Sequence, residues 1–170
     1  MYGIPIRLTA EEQANAIEFG KRRHACNLNT PDRRRSEESG ESIHIEGMGA
    51  EIGFCRLVEA APDFSIGSRS GGIDTTLLTG QTVDVKQTRY QSGHLLVAPW
   101  KTDGREAPEM YALMTGTLPT YTFRGWAWAE FVCDKKWLAD LGRGMNYTLG
   151  QGDLIHELPL SYELLTVCNA

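Results

Sequence analysis

Residues 71–86 read Gly71-Gly72-Ile73-Asp74-Thr75-Thr76-Leu77-Leu78-Thr79-Gly80-Gln81-Thr82-Val83-Asp84-Val85-Lys86. Apolar and polar residues alternate in both halves of this segment, which is the period-two pattern of β-strands, and the central Thr-Gly-Gln predicts a turn with a glycine at positive φ. We therefore expect a β-hairpin. A three-residue loop at 79–81 would pair residue 78 with 82, 76 with 84 and 74 with 86, so that Asp74, Asp84 and Lys86 share one face.

A carboxylate pair on one face of a hairpin suggests a metal site. Two neighbouring carboxylates repel each other unless a cation lies between them, and Mg²⁺ is held in proteins by one or two carboxylates together with phosphate and water. A lysine in the same cluster can hold or polarise an attacking water. The alternative is a solvated hairpin face on which the same charges form ordinary salt bridges.

The preceding segment adds a third acid. Residues 46–61 are predicted to form a helix that is ended by Pro62, with an inward apolar stripe made of Met48, Ile52, Cys55 and Val58. Glu51 lies on that stripe, where an unpaired carboxylate would be costly, so we expect a metal or another cation beside it. The alternative is an acid near the helix N-terminus that the helix dipole stabilises.

Three glycines in the same helix weaken it by about 1 kcal/mol each relative to alanine. They are Gly47, Gly49 and Gly53. Their presence predicts close packing of this helix against backbone or nucleic acid.

An acid on a helix, then Asp, then Asp-x-Lys on the next hairpin resembles the PD-(D/E)XK nuclease superfamily, which has the restriction-endonuclease-like fold. The resemblance rests on Glu51, Gly72-Ile73-Asp74 and Val83-Asp84-Val85-Lys86, and covers about residues 44–132. It departs from the family pattern in having Ile73 in place of proline and Asp84 in place of glutamate. The resemblance implies an α/β fold with an αβββαβ core, in which helices flank a central mixed sheet. Further strands are predicted at 93–98, 111–114 and 121–128.

The resemblance also implies the role of each residue. Asp74 and Asp84 would hold Mg²⁺, for which Mn²⁺ could substitute, with the backbone carbonyl of Val85 as a further ligand and Glu51 completing the set. Lys86 would position the attacking water. Gln87 is a candidate for a supporting contact behind these groups. The implied activity is hydrolysis of DNA phosphodiester bonds, endonuclease rather than exonuclease, by a protein that is expected to form a homodimer.

Length and composition are those of one folded domain. The chain has 170 residues, 41% of them hydrophobic and 23% charged. We expect a single nuclease domain over residues 1–170, with a helical and basic N-terminal extension at about 1–43. No leader or apolar membrane span is visible, so a cytoplasmic protein without a membrane partner is expected. Cysteines 26, 55, 133 and 168 are scattered and predict reduced thiols in or near the core rather than a zinc site.

The formal charge of −5 argues against a protein that coats nucleic acid indiscriminately, but the basic residues are clustered. Thr9 and Glu12 predict a capping box that opens a helix to about Cys26. That helix ends in a basic run, and a second basic run follows it: Lys21, Arg22, Arg23, then Arg33, Arg34, Arg35. These side chains are candidates for contacts to DNA phosphates. The alternative is a favourable helix C-terminus followed by a solvated linker.

Two other functions stay open. The first is a catalytically inactive nucleic-acid-binding module of the same fold, although such a module need not retain all four residues of the cluster. The second is a small α/β protein that binds a cation or a protein partner, which the acidic composition favours.

Replacing Arg33, Arg34 and Arg35 together is predicted to weaken DNA affinity across all sequences and to flatten its salt dependence, because phosphate contacts carry no base information. Binding isotherms over a range of salt concentrations measure both effects. An unchanged salt slope in the triple variant would assign these arginines to a solvated linker.

Overall fold

A computed structural model describes residues 3–27, 40–66, 72–99, 107–142 and 144–160. The elements within these ranges are, in chain order, β1 (Ile4–Arg7), α1 (Ala10–Asn27), α2 (Gly40–Leu57), β2 (Thr75–Thr76), β3 (Thr82–Thr88), β4 (Leu95–Val97), β5 (Met110–Thr117), β6 (Thr120–Trp128), α3 (Ala129–Val132), β7 (Leu138–Asp140) and β8 (Met145–Leu149). Short 3-10 turns cover Lys135–Trp137 and Gln151–Asp153. No described helix is long and apolar enough to cross a membrane.

Five strands form the main sheet in the order β1-β6-β5-β3-β2. β3 and β5 run parallel, with Val83 opposite Met110, and the other neighbours are antiparallel. Helix α2 packs on one face, where its buried residues join those of alternate strand positions in one apolar core. The predicted α/β class, with a mixed sheet flanked by helices, is confirmed.

The other face of the main sheet is covered by a second sheet of three strands, in the order β4-β8-β7. Leu95 and Val97 of β4 pack there against Tyr111 and Leu113 of β5. The strand predicted at 93–98 therefore exists, but its assignment to the central sheet is wrong, because alternation marks a strand without naming its partner. Among the described residues between β3 and β5, which are 89–99 and 107–109, no α-helix occurs.

Helix α2 begins at Gly40, six residues before the predicted start, and ends at Leu57, before the predicted end at 61. It ends early because Glu59 adopts a φ of +55°, the left-handed conformation that closes helices, and the amide of Ala60 donates to the carbonyl of Cys55 at 2.9 Å. The predicted inward stripe is confirmed. Its residues are 0 to 4% exposed: Met48, Ile52, Cys55 and Val58.

The N-terminal segment is part of the core. The predicted capping box forms, because the amide of Thr9 donates to Glu12 at 2.7 Å and the amide of Glu12 donates to the Thr9 hydroxyl at 3.2 Å. β1 adds an edge strand to the main sheet, and α1 packs along α2. The sequence placed this segment in an extension at about 1–43. Three of its side chains are instead buried in the main apolar core: Ile6, Leu8 and Ala16. Of the thiols predicted to lie in or near the core, Cys55 is buried, Cys133 is partly buried and Cys26 is exposed, whereas Cys168 lies outside the described residues.

Two glycines of α2 differ sharply in their surroundings. A Cβ on Gly49 would overlap the Tyr121 hydroxyl and lie 2.9 Å from its Cζ. That hydroxyl donates to Glu46 at 2.8 Å, so the ring is fixed. A Cβ on Gly47 would meet nothing within 4 Å. Close packing therefore explains Gly49 and does not explain Gly47.

Gly47→Ala is predicted to raise the free energy of unfolding by about 0.5 to 1 kcal/mol, because alanine is the better helix former and has room here. Gly49→Ala should lower it by about 2 kcal/mol, since Tyr121 must move and lose its bond to Glu46. Urea denaturation of the two variants, each of which adds the same methyl group to the same helix, measures the difference. Equal effects would contradict the packing described for Gly49.

Candidate functional site

The β2-β3 hairpin carries the predicted cluster, with a shifted register. Thr75 lies opposite Val83 and Thr76 opposite Thr82. The amide of Leu77 donates to the carbonyl of Gln81 at 2.9 Å, so the three-residue loop is 78–80 and its last residue, Gly80, has a φ of +96°. The predicted loop at 79–81 and the pairing of 74 with 86 are therefore wrong. Asp74 comes just before β2, and its own hydrogen bonds to β3 set its position.

Asp74 lies at the edge of the main sheet and is only 6% exposed. Its Oδ2 accepts a hydrogen bond of 2.7 Å from the amide of Val85, and its own amide donates to the carbonyl of Val83 at 2.9 Å. The side chain thus satisfies a β3 amide beyond the end of the short strand β2. This contact fixes the Asp74 carboxylate beside the strand that carries Asp84.

Asp84 and Lys86 form an ion pair on β3 through Asp84 Oδ1 and Lys86 Nζ. Asp84 is 2% exposed, whereas about a fifth of the Lys86 side chain, 19%, reaches solvent. Tyr111 lies next to Asp84 in β5, and the Lys86 ammonium stands 5.7 Å from the centroid of the Tyr111 ring. The ammonium is therefore oriented by a carboxylate and by an aromatic ring.

Glu51 faces inward, as predicted, and its partner is a cation of the chain. Arg23 Nη1 lies 2.8 Å from each Glu51 oxygen, and Arg23 Nη2 donates to the carbonyl of Asp63 at 2.5 Å. Because α2 begins at Gly40, Glu51 is far from the helix N-terminus, and the alternative based on the helix dipole is wrong. The buried pair joins α1 to α2.

The three carboxylates influence one another electrostatically. Burial, followed by the charge of Asp84, raises the pKa of Asp74 to about 7, while Lys86 and the Val85 amide act in the opposite direction. Burial and then the charge of Asp74 raise the pKa of Glu51 well above its usual value, although Arg23 opposes the shift. The hairpin therefore brings together, in one cluster, four residues that the sequence predicted for the site: Glu51, Asp74, Asp84 and Lys86.

Two carboxylates of this cluster could serve as ligands of a metal ion. Within the described ranges, no group of three or more His, Cys, Asp or Glu side chains is arranged to hold a metal ion. Both Glu51 oxygens accept from Arg23, which leaves Asp74 and Asp84 as the carboxylates that could bind a metal directly. Mg²⁺ commonly uses one or two carboxylates and completes its shell with water and phosphate. Glu51, bound by Arg23, is therefore not placed as the metal ligand that the resemblance implied.

The remaining predicted residues lie around the cluster. Gln87 donates from Nε2 to the carbonyl of Gly116 at 2.8 Å, which ties β3 to the last residues of β5. Val85 is buried, 8% exposed, and gives its amide to Asp74. Both contacts support the strand that presents Asp84 and Lys86.

The basic run at the end of α1 is divided between surface and interior. Lys21 and Arg22 are exposed, and Arg22 pairs with Glu18 at 3.3 Å. Arg23 is buried, so its guanidinium is not placed on the surface for the predicted phosphate contact. The helical period indicated this position, because Arg23 lies four and seven residues after Phe19 and Ala16, which face the core. Arg33, Arg34 and Arg35 lie outside the described residues.

Comparisons with protein-family models, with curated proteins and with solved structures find no match to this chain.

The raised pKa of Asp74 predicts a pH-dependent stability. Its folded-state pKa is about 7 against 3.8 for the unfolded chain, so its proton contributes stability that is complete below pH 3.8 and lost as the pH rises through 7. Asp74→Asn is neutral at every pH and can still accept from the Val85 amide. The unfolding free energy of this variant minus that of the wild type should therefore grow with pH and level off above neutrality, at about 4 kcal/mol.

Urea denaturation at several pH values tests this expectation. Asp153→Asn, which removes a carboxylate from an exposed 3-10 turn, is the matched control. A difference between Asp74→Asn and the wild type that stays constant with pH would contradict a buried, protonated Asp74.

The buried Arg23–Glu51 pair predicts strong coupling. Arg23→Met leaves an uncompensated buried carboxylate and should cost about 3 to 5 kcal/mol, whereas the double variant with Glu51→Met should cost clearly less than the sum of the single variants. The same cycle at the exposed Arg22–Glu18 pair of α1 is the control and should give a coupling of about 0.5 kcal/mol or less. Similar coupling energies for the two pairs would contradict the buried position of Arg23.

Proposed function

We propose that this protein is a Mg²⁺-dependent deoxyribonuclease of the PD-(D/E)XK type that hydrolyses DNA phosphodiester bonds. The observation that carries the proposal is the buried cluster at the β2-β3 hairpin, where Asp74 accepts from the strand that presents Asp84 and Lys86. Glu51 approaches the same cluster from α2 and contributes to its electrostatics. Two acids followed by a lysine, in a buried cluster, favour a site for phosphodiester hydrolysis over a solvated hairpin face.

Each side chain would have a distinct part in the reaction. Asp74 and Asp84 would hold the metal, and Mn²⁺ could replace it. When bound, the metal lowers the pKa of water and offsets charge on the phosphate. Lys86, held by Asp84 and partly open to solvent, would orient the attacking water and stabilise negative charge as the bond breaks. Tyr111 and Asp84 would keep the ammonium in place.

The order of elements supports a restriction-endonuclease-like core in part. α2, β2 and β3 follow one another as the superfamily resemblance implies, and the sheet is mixed and flanked by helices. We propose that this part of the chain corresponds to the start of an αβββαβ core. We also propose that the protein acts as an endonuclease and as a homodimer, because cutting both strands of DNA calls for two active sites.

One observation favours a second candidate, an inactive nucleic-acid-binding module. Arg23 pairs with Glu51 and Lys86 pairs with Asp84, so two of the three carboxylates are balanced by cations of the chain itself. The raised pKa of Asp74 allows the third to stay protonated near neutral pH. A cluster balanced in this way is stable without any metal.

Asp74→Asn and Asp84→Asn are predicted to reduce Mg²⁺-dependent cleavage of plasmid and linear DNA by at least about 100-fold, because an amide lacks the charge that a hard dication demands. Lys86→Ala should leave Mg²⁺ binding intact and lower turnover by about 100-fold or more. Ca²⁺ in place of Mg²⁺ should permit DNA binding and stall hydrolysis. Glu51→Gln should give an intermediate loss.

Calorimetric Mg²⁺ titration separates binding from turnover in each variant, and Lys135→Ala, at an exposed lysine, is the control for Lys86→Ala. If Asp84→Asn and Lys86→Ala cut DNA as fast as the wild type, this hairpin is not the active site. If the purified wild type binds DNA but does not cut it with either Mg²⁺ or Mn²⁺, the protein is the inactive module.

A further inference from the structure

A cavity lies at the end of β6, and none of the four residues of the hairpin cluster lines it. Its volume is about 510 Å³, within the range of about 300 to 1,000 Å³ that is typical of small-molecule sites. The aromatic rings of Trp128 and Phe131 line it, together with the acidic side chains of Glu130, Asp134 and Asp153. The cavity is therefore both aromatic and acidic.

The charge of this cavity is only partly balanced by a basic neighbour. None of the lining residues that the structure describes is a lysine or an arginine. Asp134 lies 3.6 Å from Lys136 Nζ, whereas Glu130 and Asp153 form no ion pair within the part of the chain that the structure describes. Two exposed carboxylates thus face the cavity with their charge available to a ligand.

The aromatic rings at this end of β6 are suited to a cation. The Lys136 ammonium stands 4.8 Å from the centroid of Phe131 and 5.1 Å from that of Trp137, so the rim of the cavity already holds one ammonium against aromatic faces. The ring of Trp128 lies roughly perpendicular to that of Trp126, with ring centroids 5.3 Å apart. Because Trp126 is buried and donates to the carbonyl of Glu157 at 2.9 Å, it holds the Trp128 ring in place.

We propose that this cavity binds a small organic cation of the quaternary-ammonium type, with its charged group against Trp128 and beside Glu130 and Asp153. Aromatic faces attract such cations through the ring quadrupole, and the carboxylates add direct attraction. A nucleotide is the poorer fit, because its phosphate would meet three carboxylates. This site is independent of the proposed nuclease function.

The test is a titration with choline, followed by the indole ¹H–¹⁵N signal of Trp128, which Trp128→Phe identifies. Choline should shift that signal with a dissociation constant on the order of millimolar. Dimethylbutanol, in which carbon replaces the quaternary nitrogen of choline, should bind about tenfold more weakly or not at all. Equal affinities would show that the cavity recognises only the apolar body and would overturn the proposal.

Charge variants provide the second arm of the test. Glu130→Gln combined with Asp153→Asn should weaken choline binding by about tenfold. Glu11→Gln combined with Glu18→Gln removes the same charge from the exposed face of α1 and should leave the affinity unchanged. An unchanged affinity in the first pair, an equal loss in both pairs, or no choline binding by the wild type would refute the cation site.

Discussion

The buried ion pair between Arg23 and Glu51 holds the candidate site together. Arg23 binds Glu51 of α2 and the carbonyl of Asp63, and the amide of Asp63 in turn donates to the carbonyl of Asp74 at 3.3 Å. One guanidinium therefore links both long helices to the segment that carries Asp74. A buried charge tolerates little displacement from its partner, because removing either one leaves the other desolvated and uncompensated. The position of Asp74 is thus tied to the packing of α1 on α2.

The same pair determines how the cluster responds to cations. With Arg23 on Glu51 and Lys86 on Asp84, the charge that remains belongs to Asp74, whose pKa is about 7. A proton and a divalent ion would therefore compete for Asp74, and metal binding would release a proton near neutral pH. In the protonated form the cluster needs no further cation, and in the ionised form Asp74 would be open to one. Binding a metal would accordingly become more favourable as the pH rises.

Local periodicity predicted much of this fold. The hairpin with its glycine turn, the inward stripe of α2 and the capping box of α1 each depend on residues close in sequence, and each is confirmed. The hairpin loop was placed one residue too late, so that Thr76 lies opposite Thr82 rather than opposite Asp84. Alternation could not show that β4 joins the second sheet, nor that Arg23 turns inward to Glu51. Both depend on contacts between residues distant in sequence.

The register of the main sheet also relates the two sites. Asp84 lies opposite Tyr111, and Tyr111 lies opposite Ala127, which lines the cavity at the end of β6. Two strand spacings of about 4.8 Å thus separate the backbone of the carboxylate cluster from that of the cavity wall. Tyr111, whose ring centroid lies 5.7 Å from the Lys86 ammonium, therefore stands in the sheet between the carboxylate cluster and the cavity wall.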